Sequence, residues 1–258
     1  MEFQGKILSI KECIDAGEVF ARIIRIEAPK SFDFKPGQFV MVACPELNLR
    51  GSSELKWSAF SVASSPLQAG FIELCIDGSG KDSANSIKED LKVNDRLRVK
   101  GPFGEFFLNE DFVEAAFIAM GTGIAPMVSM VRTLCIKGIT KPFYLFFGSR
   151  NPADCFYLKE LEELSQGLCN NFSFIPVRSE MEFYLGKCRG FVQDEIRKFN
   201  FRNPKNIIEA YVCGNSRIVP IVVEELKSEG FKEGRIHSEI QDKRFHYSFS
   251  YCFNFVYC

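Results

Sequence analysis

The stretch AAFIAMGTGIAP, residues 115–126, decides the fold of this 258-residue chain. Its first six residues form an unbroken apolar run, which is typical of a strand buried on both faces of a parallel sheet. A glycine-rich turn follows, and apolar residues then recur at helical spacing from Pro126 to Gly138. A strand, a glycine turn and a helix in this order predict the first unit of an α/β domain, with a turn whose backbone suits a phosphate group.

Strand and helix patterns continue to alternate after this unit. The predicted strands are 143–148, 172–177, 210–213 and 235–240. The predicted helices are 156–166, 191–198 and 218–229. Alternation of this kind predicts a mostly parallel sheet with helices on both faces.

The first hundred residues show a different pattern, in which apolar and polar residues alternate over short segments. These segments are 5–10, 19–27, 38–43, 60–63, 71–76 and 96–100. Turn residues separate them, and the one helix expected in this part is 83–91. Short strands at regular spacing predict a small antiparallel β-barrel or sandwich.

We therefore predict two domains and a tail. Residues 1–109 form an N-terminal antiparallel β-barrel, residues 110–244 a C-terminal α/β domain with a parallel sheet, and residues 245–258 a tail. From Phe245 to Tyr257 every second residue is aromatic, which predicts a strand with one apolar face.

Composition and charge exclude several classes of protein. Hydrophobic residues make up 46% and charged residues 25% of the chain, so it is not a disordered protein. The net charge of −1 gives no overall field that would draw the chain onto nucleic acid or an anionic membrane. No segment approaches the ~20 apolar residues that span a bilayer, and no signal-peptide core is visible. We expect a cytoplasmic protein without a membrane span.

The ten cysteines are scattered, and no C-x-x-C pair occurs among them. The spacing of a plant-type iron–sulfur cluster is absent, and neither of the two histidines lies near a cysteine pair. We therefore expect reduced thiols and no bound metal.

A second strand of the predicted sheet ends at Cys213 and Gly214 and again runs into a helix. Because ligands bind at the carboxyl ends of such strands, we expect Cys213 to project near the Gly121–Gly123 turn. Two glycine turns at one sheet edge predict a nucleotide cleft, whereas either turn alone has a simpler explanation in packing.

Six motifs of the chain occur in one order over residues 5–240. They are FSVASSP (60–66), Gly80 with Ser83, GPFGEF (101–106), GTGIAP (121–126), GSR (148–150) and Cys213 with Gly214. In their order and spacing these motifs resemble those of the ferredoxin–NADP reductase superfamily of flavoprotein reductases.

The resemblance implies a flavin site in the barrel that takes FAD, with FMN as the alternative. Phe60 would lie against the isoalloxazine ring and Ser61 near its N5 atom, and Val62 and Ala63 continue this cofactor-binding motif.

The flavin pyrophosphate would be held by a second motif. Gly80, Asp82 and Ser83 would supply backbone and hydroxyl donors to it. Ser58 stands where the family has an arginine, so a bidentate cation–phosphate contact is lost. The candidate substitute cations are Lys56, Arg50 and Lys81.

The resemblance also implies an NADPH or NADH site in the second domain. The turn of Gly121, Thr122, Gly123 and Pro126 would hold the nucleotide, and Cys213 with Gly214 would lie beside the nicotinamide. The residues that would contact a 2′-phosphate follow two strands, and they are Ser149, Arg150, Arg178 and Ser179. These cations favour NADP slightly. Glu239 resembles an acidic residue near the family's carboxyl end. The candidate catalytic residues are Ser61, Cys213 and Glu239.

The function implied is that of a flavin-dependent NAD(P)H oxidoreductase, similar to ferredoxin or flavodoxin reductases. The cofactors carry out hydride transfer, so the chain needs no histidine catalyst. Since it has no cluster motif of its own, electrons would pass to or from a separate iron–sulfur or flavodoxin-type carrier. Two alternatives stay open: a flavin reductase that uses loosely bound flavin, and a non-catalytic subunit of a larger redox complex.

Three interpretations of the aromatic tail also stay open. It is an edge strand packed on its own fold, a strand that pairs with a partner or a second copy, or a segment that places Phe245 or Tyr247 over the flavin ring.

Overall fold

A computed structural model describes residues 1–15, 18–44, 55, 57–77, 91–149, 156–178 and 190–241. In its first domain, six antiparallel strands form a sheet in the order β4-β3-β6-β1-β2-β5. The strands are β1 (Glu2–Asp15), β2 (Glu18–Glu27), β3 (Phe39–Ala43), β4 (Ser58–Ser61), β5 (Phe71–Asp77) and β6 (Arg96–Phe103). A bridge between Val62 and Leu74 brings the two edge strands together, so the sheet is a nearly closed barrel.

The second domain is a five-stranded parallel sheet in the order β11-β10-β7-β8-β9. Its strands are β7 (Ala115–Met120), β8 (Phe143–Ser149), β9 (Phe172–Arg178), β10 (Glu209–Gly214) and β11 (Ile236–Ile240). All six residues of β7 are buried, because the strand lies between β8 and β10 and is covered on both faces. The predicted fold class, a β-barrel followed by an α/β parallel-sheet domain, is confirmed.

Helices cover both faces of this sheet. They are α1 (Ile124–Ile136), α2 (Leu158–Glu163), α3 (Val192–Lys198) and α4 (Val219–Ser228). Helix α1 packs on the face of Phe117 and Tyr211, which also faces the barrel, whereas α3 and α4 pack on the face of Ile118 and Val212.

One predicted helix is shorter in the structure than its sequence pattern suggested. The pattern runs from 156 to 166, but α2 begins at Leu158 because Tyr157 has a left-handed backbone with φ of 62°. After Glu163 the chain continues as a wider turn over Leu164–Leu168, where Gly167 has φ of 152°. The predicted helix at 83–91 falls almost entirely, and the tail at 245–258 entirely, outside the described residues.

The two domains meet at a buried polar network that α1 builds against the barrel. Arg132 forms ion pairs with Glu73 of β5 at 2.7 Å and with Glu160 of α2 at 2.6 Å. Its guanidinium group also donates to the carbonyl oxygen of Ala63 at 2.9 Å. Burial alone would raise the pKa of Glu73, but Arg132 and Arg25 outweigh burial and hold that pKa below its ordinary value. Glu73 therefore stays ionised in the interior.

Two neighbouring residues of α1 contact the same segment of the barrel. Ser129 donates to the carbonyl oxygen of Ser64 at 2.7 Å, and the hydroxyls of Thr133 and Ser65 are 2.8 Å apart. All four residues are buried. Because each buried polar group needs its partner, these contacts define one orientation of α1 on the barrel.

We expect Arg132→Met to destabilise the protein by about 3–5 kcal/mol, because it leaves the Glu73 carboxylate buried with only its half-exposed partner Arg25. The matched control is Arg25→Met, which removes that half-exposed partner and costs less than ~1 kcal/mol. Urea unfolding at neutral pH measures both losses. Equal, small losses in the two variants would contradict this account of the interface.

Candidate functional site

The two predicted glycine turns lie together at the carboxyl edge of the parallel sheet. Gly121–Gly123 forms a single tight turn between β7 and α1. A Cβ atom on Gly123 would lie 2.6 Å from the carbonyl carbon of Cys213 and 2.8 Å from the nitrogen of Gly214. Only glycine permits this approach, so the end of β10 and the start of α1 are in direct contact. We call the region between this contact and Ser61 of the barrel the groove.

The amino end of α1 is suited to an anion. The helix has 13 residues, no acidic residue in its first turn, and no side-chain cap from the described residues. The N–H of Ile124 bonds back to Gly121 and Thr122, so the N–H groups that lie at the sheet edge, together with the positive end of the helix dipole, are those of the glycine turn itself. Pro126 is buried in this first turn.

Gln241 connects the barrel to this edge. Its backbone N–H donates to the carbonyl oxygen of Gly214 at 2.7 Å. Its side-chain Nε2 donates to Ser61 Oγ at 3.1 Å, and its Oε1 accepts from Thr122 Oγ1 at 3.0 Å. The structure thus brings together three residues that the sequence assigned to two different cofactor sites: Ser61, Thr122 and Gly214.

Sequence reasoning missed Gln241 itself. Gln241 lies two positions after Glu239 and directly follows β11. If the alternation of the strand continues by one residue, both side chains lie on the same face of the sheet. That alternation is the one signal in the sequence that points to Gln241.

Cys213 lies at the predicted position but not at an open edge. Its side chain is fully buried among α1 and β7, where the sequence predicted a projecting thiol. Burial, and after it the nearby Glu239 carboxylate, raises the pKa of the Cys213 thiol well above its ordinary value. The thiol is therefore protonated at neutral pH.

Glu239 pairs in register with Cys213 on the neighbouring strand and reaches toward the barrel. Its Oε1 is 4.0 Å from where a Cβ atom on Gly104 would lie. Burial raises the pKa of this carboxyl to about 7. Glu239 is thus a group that gains and loses a proton near neutral pH, next to the groove.

The barrel residues of the predicted flavin motif divide into two groups. Ser58 and Phe60 are half-buried on β4, and Ser61 at its end faces Gln241. Val62 and Ala63 are fully buried in the cores of the protein. A cofactor role for these last two residues stays a prediction.

The predicted 2′-phosphate residues lie at a separate place on the sheet edge. Ser149 and Arg178 end β8 and β9 and are register partners. Ser149 Oγ is buried, and the described residues offer it no hydrogen-bond partner. Eight predicted site residues lie outside the described residues: Arg50, Lys56, Gly80, Lys81, Asp82, Ser83, Arg150 and Ser179.

Two further observations concern metals and membranes. Within the described ranges, no cluster of three or more His, Cys, Asp or Glu side chains has the arrangement of a metal site. The helices of those ranges do not combine the length and the apolarity that crossing a bilayer requires.

Family models match both domains. Residues 18–108 match an oxidoreductase FAD-binding domain, and residues 117–224 match an oxidoreductase NAD-binding domain. Together with the barrel and the parallel sheet, these matches define an oxidoreductase with one domain for FAD and one for a pyridine nucleotide.

The chain belongs to the ferredoxin–NADP reductase superfamily of flavoprotein reductases. This confirms the family that the six motifs predicted, with FAD and a pyridine nucleotide as the cofactors of its two domains. A solved ferredoxin–NADP+ reductase from Neisseria gonorrhoeae, with bound FAD and NADP, shares the fold. The TM-score is 0.78 at 19% identity, covering 93% of this chain and 98% of that one.

Two curated relatives come from bacterial oxygenase systems. The chain is 29% identical over 242 residues to the phenol hydroxylase P5 protein of Acinetobacter pittii, covering 92% of this chain and 65% of the relative. It is 30% identical over 226 residues to the propane 2-monooxygenase reductase component of Rhodococcus jostii, covering 84% of this chain and 58% of the relative. The chain thus spans less than two thirds of either relative.

We expect the stability contribution of Glu239 to depend on pH. Below about pH 4.5 both the folded and the unfolded chain hold its proton, and the residue contributes nothing. As the pH rises, the unfolded chain ionises first, so the buried carboxyl destabilises the fold increasingly up to its pKa of about 7. Glu239→Gln removes this penalty and should gain about 2–3 kcal/mol at about pH 8 but less than about 1 kcal/mol at about pH 5.

Urea unfolding of the cofactor-free protein at the two pH values measures the gain. The matched control is Glu233→Gln, which neutralises an exposed carboxylate with a lowered pKa and should not stabilise the protein at either pH. A gain for Glu239→Gln that is the same at both pH values would refute the titration of this residue.

Proposed function

We propose that the chain is an NAD(P)H-dependent flavoprotein reductase that passes electrons between a pyridine nucleotide and a separate redox protein. The observation that carries the proposal is the junction at Gln241, where Ser61 of the FAD-binding domain and Thr122 of the NAD-binding domain share one carboxamide. Residues of the two domains therefore lie within hydrogen-bond distance of one side chain, which supports the close approach of two cofactors that hydride transfer needs.

The barrel side of the groove fits a flavin ring. The aromatic ring of Phe60 is partly exposed, and Ser61 has a hydroxyl at the end of the same strand. When bound, FAD would supply the redox chemistry by taking up two electrons from the nucleotide and releasing them singly or as a pair. The residues of this chain bind the ring, orient it and exclude water.

The sheet side fits a pyridine nucleotide. The uncapped amino end of α1 and the close approach of Gly123 to Cys213 suit a pyrophosphate that contacts backbone N–H groups. Cys213 and Gly214 would lie beside the nicotinamide, the thiol as a buried, uncharged neighbour. Glu239, with its pKa of about 7, can hold the proton that accompanies two-electron reduction.

NADPH is the proposed electron donor. Support comes from Ser149 and Arg178, which pair in register at adjacent strand ends and combine a buried hydroxyl with a cation. A 2′-phosphate needs both kinds of group. Arg150 and Ser179 are further proposed ligands of the same phosphate.

The proposed acceptor is a separate iron–sulfur or flavodoxin-type protein. The relative from Rhodococcus jostii is the reductase component of a monooxygenase, a role that hands electrons to another component. We also place the protein in the cytoplasm, which four free cysteines among the described residues (Cys13, Cys135, Cys169 and Cys213) support, since thiols stay reduced there.

The proposal is tested on the full-length chain, freshly purified and then loaded with FAD. We expect yellow protein, whose visible flavin band is bleached anaerobically by NADPH. Ser61→Ala should keep FAD bound but bleach at least about tenfold more slowly, since a donor at the flavin is lost. Colourless protein that reduces only free, added flavin would favour the flavin reductase, and no NAD(P)H oxidation at all would favour a non-catalytic subunit.

Nucleotide preference gives a separate prediction. Arg178→Met should lower kcat/KM for NADPH about tenfold or more and leave kcat/KM for NADH within about twofold, because only the 2′-phosphate contact is removed. Steady-state kinetics with both nucleotides measure the two ratios, with Arg96→Met, at an exposed position on strand β6 of the barrel, as control. A parallel fall for NADPH and NADH would place Arg178 outside a 2′-phosphate site.

A further inference from the structure

The hydrogen bonds of Gln241 span both domains. The residue follows the last strand, and its backbone is anchored to Gly214 of β10 at 2.7 Å. Its side-chain carboxamide then uses both of its ends, the Nε2 toward Ser61, 180 residues away in sequence, and the Oε1 toward Thr122, 119 residues away. A single side chain thus joins the barrel and the nucleotide turn.

The contact determines how Ser61 can use its hydroxyl. A serine hydroxyl has one hydrogen to donate and two lone pairs that accept, and it rotates to suit its neighbours. Because the Nε2 of Gln241 donates to Ser61, one lone pair is occupied and the hydrogen of Ser61 is directed elsewhere. Ser61 is 8% exposed, so few other orientations are open to it. Its hydrogen remains available to an acceptor in the groove.

The oxygen of the Gln241 carboxamide fixes the position of the nucleotide turn, as its nitrogen fixes the hydroxyl of Ser61. Thr122 donates its hydroxyl hydrogen to Oε1, which ties the turn between β7 and α1 to the end of β11. The side chains of Ser61 and Thr122 are therefore held at the span of one glutamine carboxamide.

We propose that Gln241 is a positioning residue for hydride transfer, which orients the Ser61 hydroxyl toward the flavin and sets the width of the groove through Thr122. The inference rests on the proposed function. Gln241 takes no part in the bond changes, in which a hydride leaves NAD(P)H and adds to oxidised flavin. A residue with this role affects the rate of the chemical step more than the binding of either cofactor.

Two substitutions separate orientation from simple packing. Gln241→Leu keeps a branched side chain of similar volume, one carbon shorter, but makes neither hydrogen bond. Gln241→Glu replaces the amide nitrogen by a second oxygen. When ionised, the two oxygens can only accept, so the hydrogen of Ser61 turns toward the carboxylate and away from the flavin. When protonated, the introduced carboxyl has a donor and an acceptor, as the amide has. The control is Ser238→Ala, at an exposed position on the same strand.

Anaerobic rapid mixing with saturating NADPH measures the first-order rate of flavin bleaching. We expect Gln241→Leu to slow it about tenfold at every pH, with the dissociation constants of FAD and NADP+ changed less than about twofold. Gln241→Glu should be as slow at about pH 8 and recover toward the wild-type rate as the pH falls. Each rate is divided by the wild-type rate at the same pH, which cancels the titration of Glu239 and Cys213.

A second readout uses no turnover. In Gln241→Leu the visible band of bound FAD should shift as it does in Ser61→Ala, and combining the two substitutions should give no further shift, because both remove the same hydrogen bond to the ring. The control Ser238→Ala should leave the band unchanged.

The outcomes distinguish this inference from the proposed function. If neither NADPH nor NADH bleaches the flavin of the wild-type protein, the proposed function is wrong, and the inference is then wrong as well. If the wild type is bleached and Gln241→Leu is bleached as fast, the function stands and the inference is wrong. A slow Gln241→Glu variant that does not recover at low pH, or additive band shifts, would also overturn the orienting role.

Discussion

A buried positive charge between the two domains is the constraint on which the rest of the structure depends. The guanidinium group of Arg132 can be buried because Glu73, Glu160 and the carbonyl oxygen of Ala63 form ion pairs and hydrogen bonds with it. A buried ion without such partners costs several kcal/mol, so the network is satisfied in one orientation of the domains and strongly resists others. The groove between the domains keeps its shape for the same reason.

Helix α1 transmits this constraint to the groove. Its amino end follows the glycine turn at Gly121–Gly123, and Arg132 lies eight residues further on, about 12 Å along the helix axis. The same helix therefore packs on the barrel and begins at the sheet edge where we propose that a nucleotide binds. The FSVASSP segment also has two roles. Ser61 faces the groove, whereas Ser64 and Ser65 form hydrogen bonds with residues of α1.

The local pattern of apolar and glycine residues was enough to predict the strands and helices, and the sheet edge at which the two glycine turns lie. The apolar run 115–120 is typical of a strand covered on both faces, and parallel strands bring the turns at Gly121 and Gly214 to one edge. The networks of Arg132 and Gln241 were not predictable, because their partners are 28 to 180 residues away and nothing in the local pattern marks them. Cys213 was placed correctly but expected to be exposed, since the packing of α1 over its side chain depends on the whole fold.

The central claim is that the flavin edge at Ser61 and the nucleotide turn at Thr122 hold their cofactors close enough for direct hydride transfer. Rapid mixing of the FAD-loaded protein with NADPH carrying deuterium at both C4 positions tests it most directly. We expect bleaching that is slower than with ordinary NADPH by a primary isotope effect of about twofold or more, because the C4–hydrogen bond breaks in that step. Bound FAD that is not bleached by the nucleotide at all would contradict the claim.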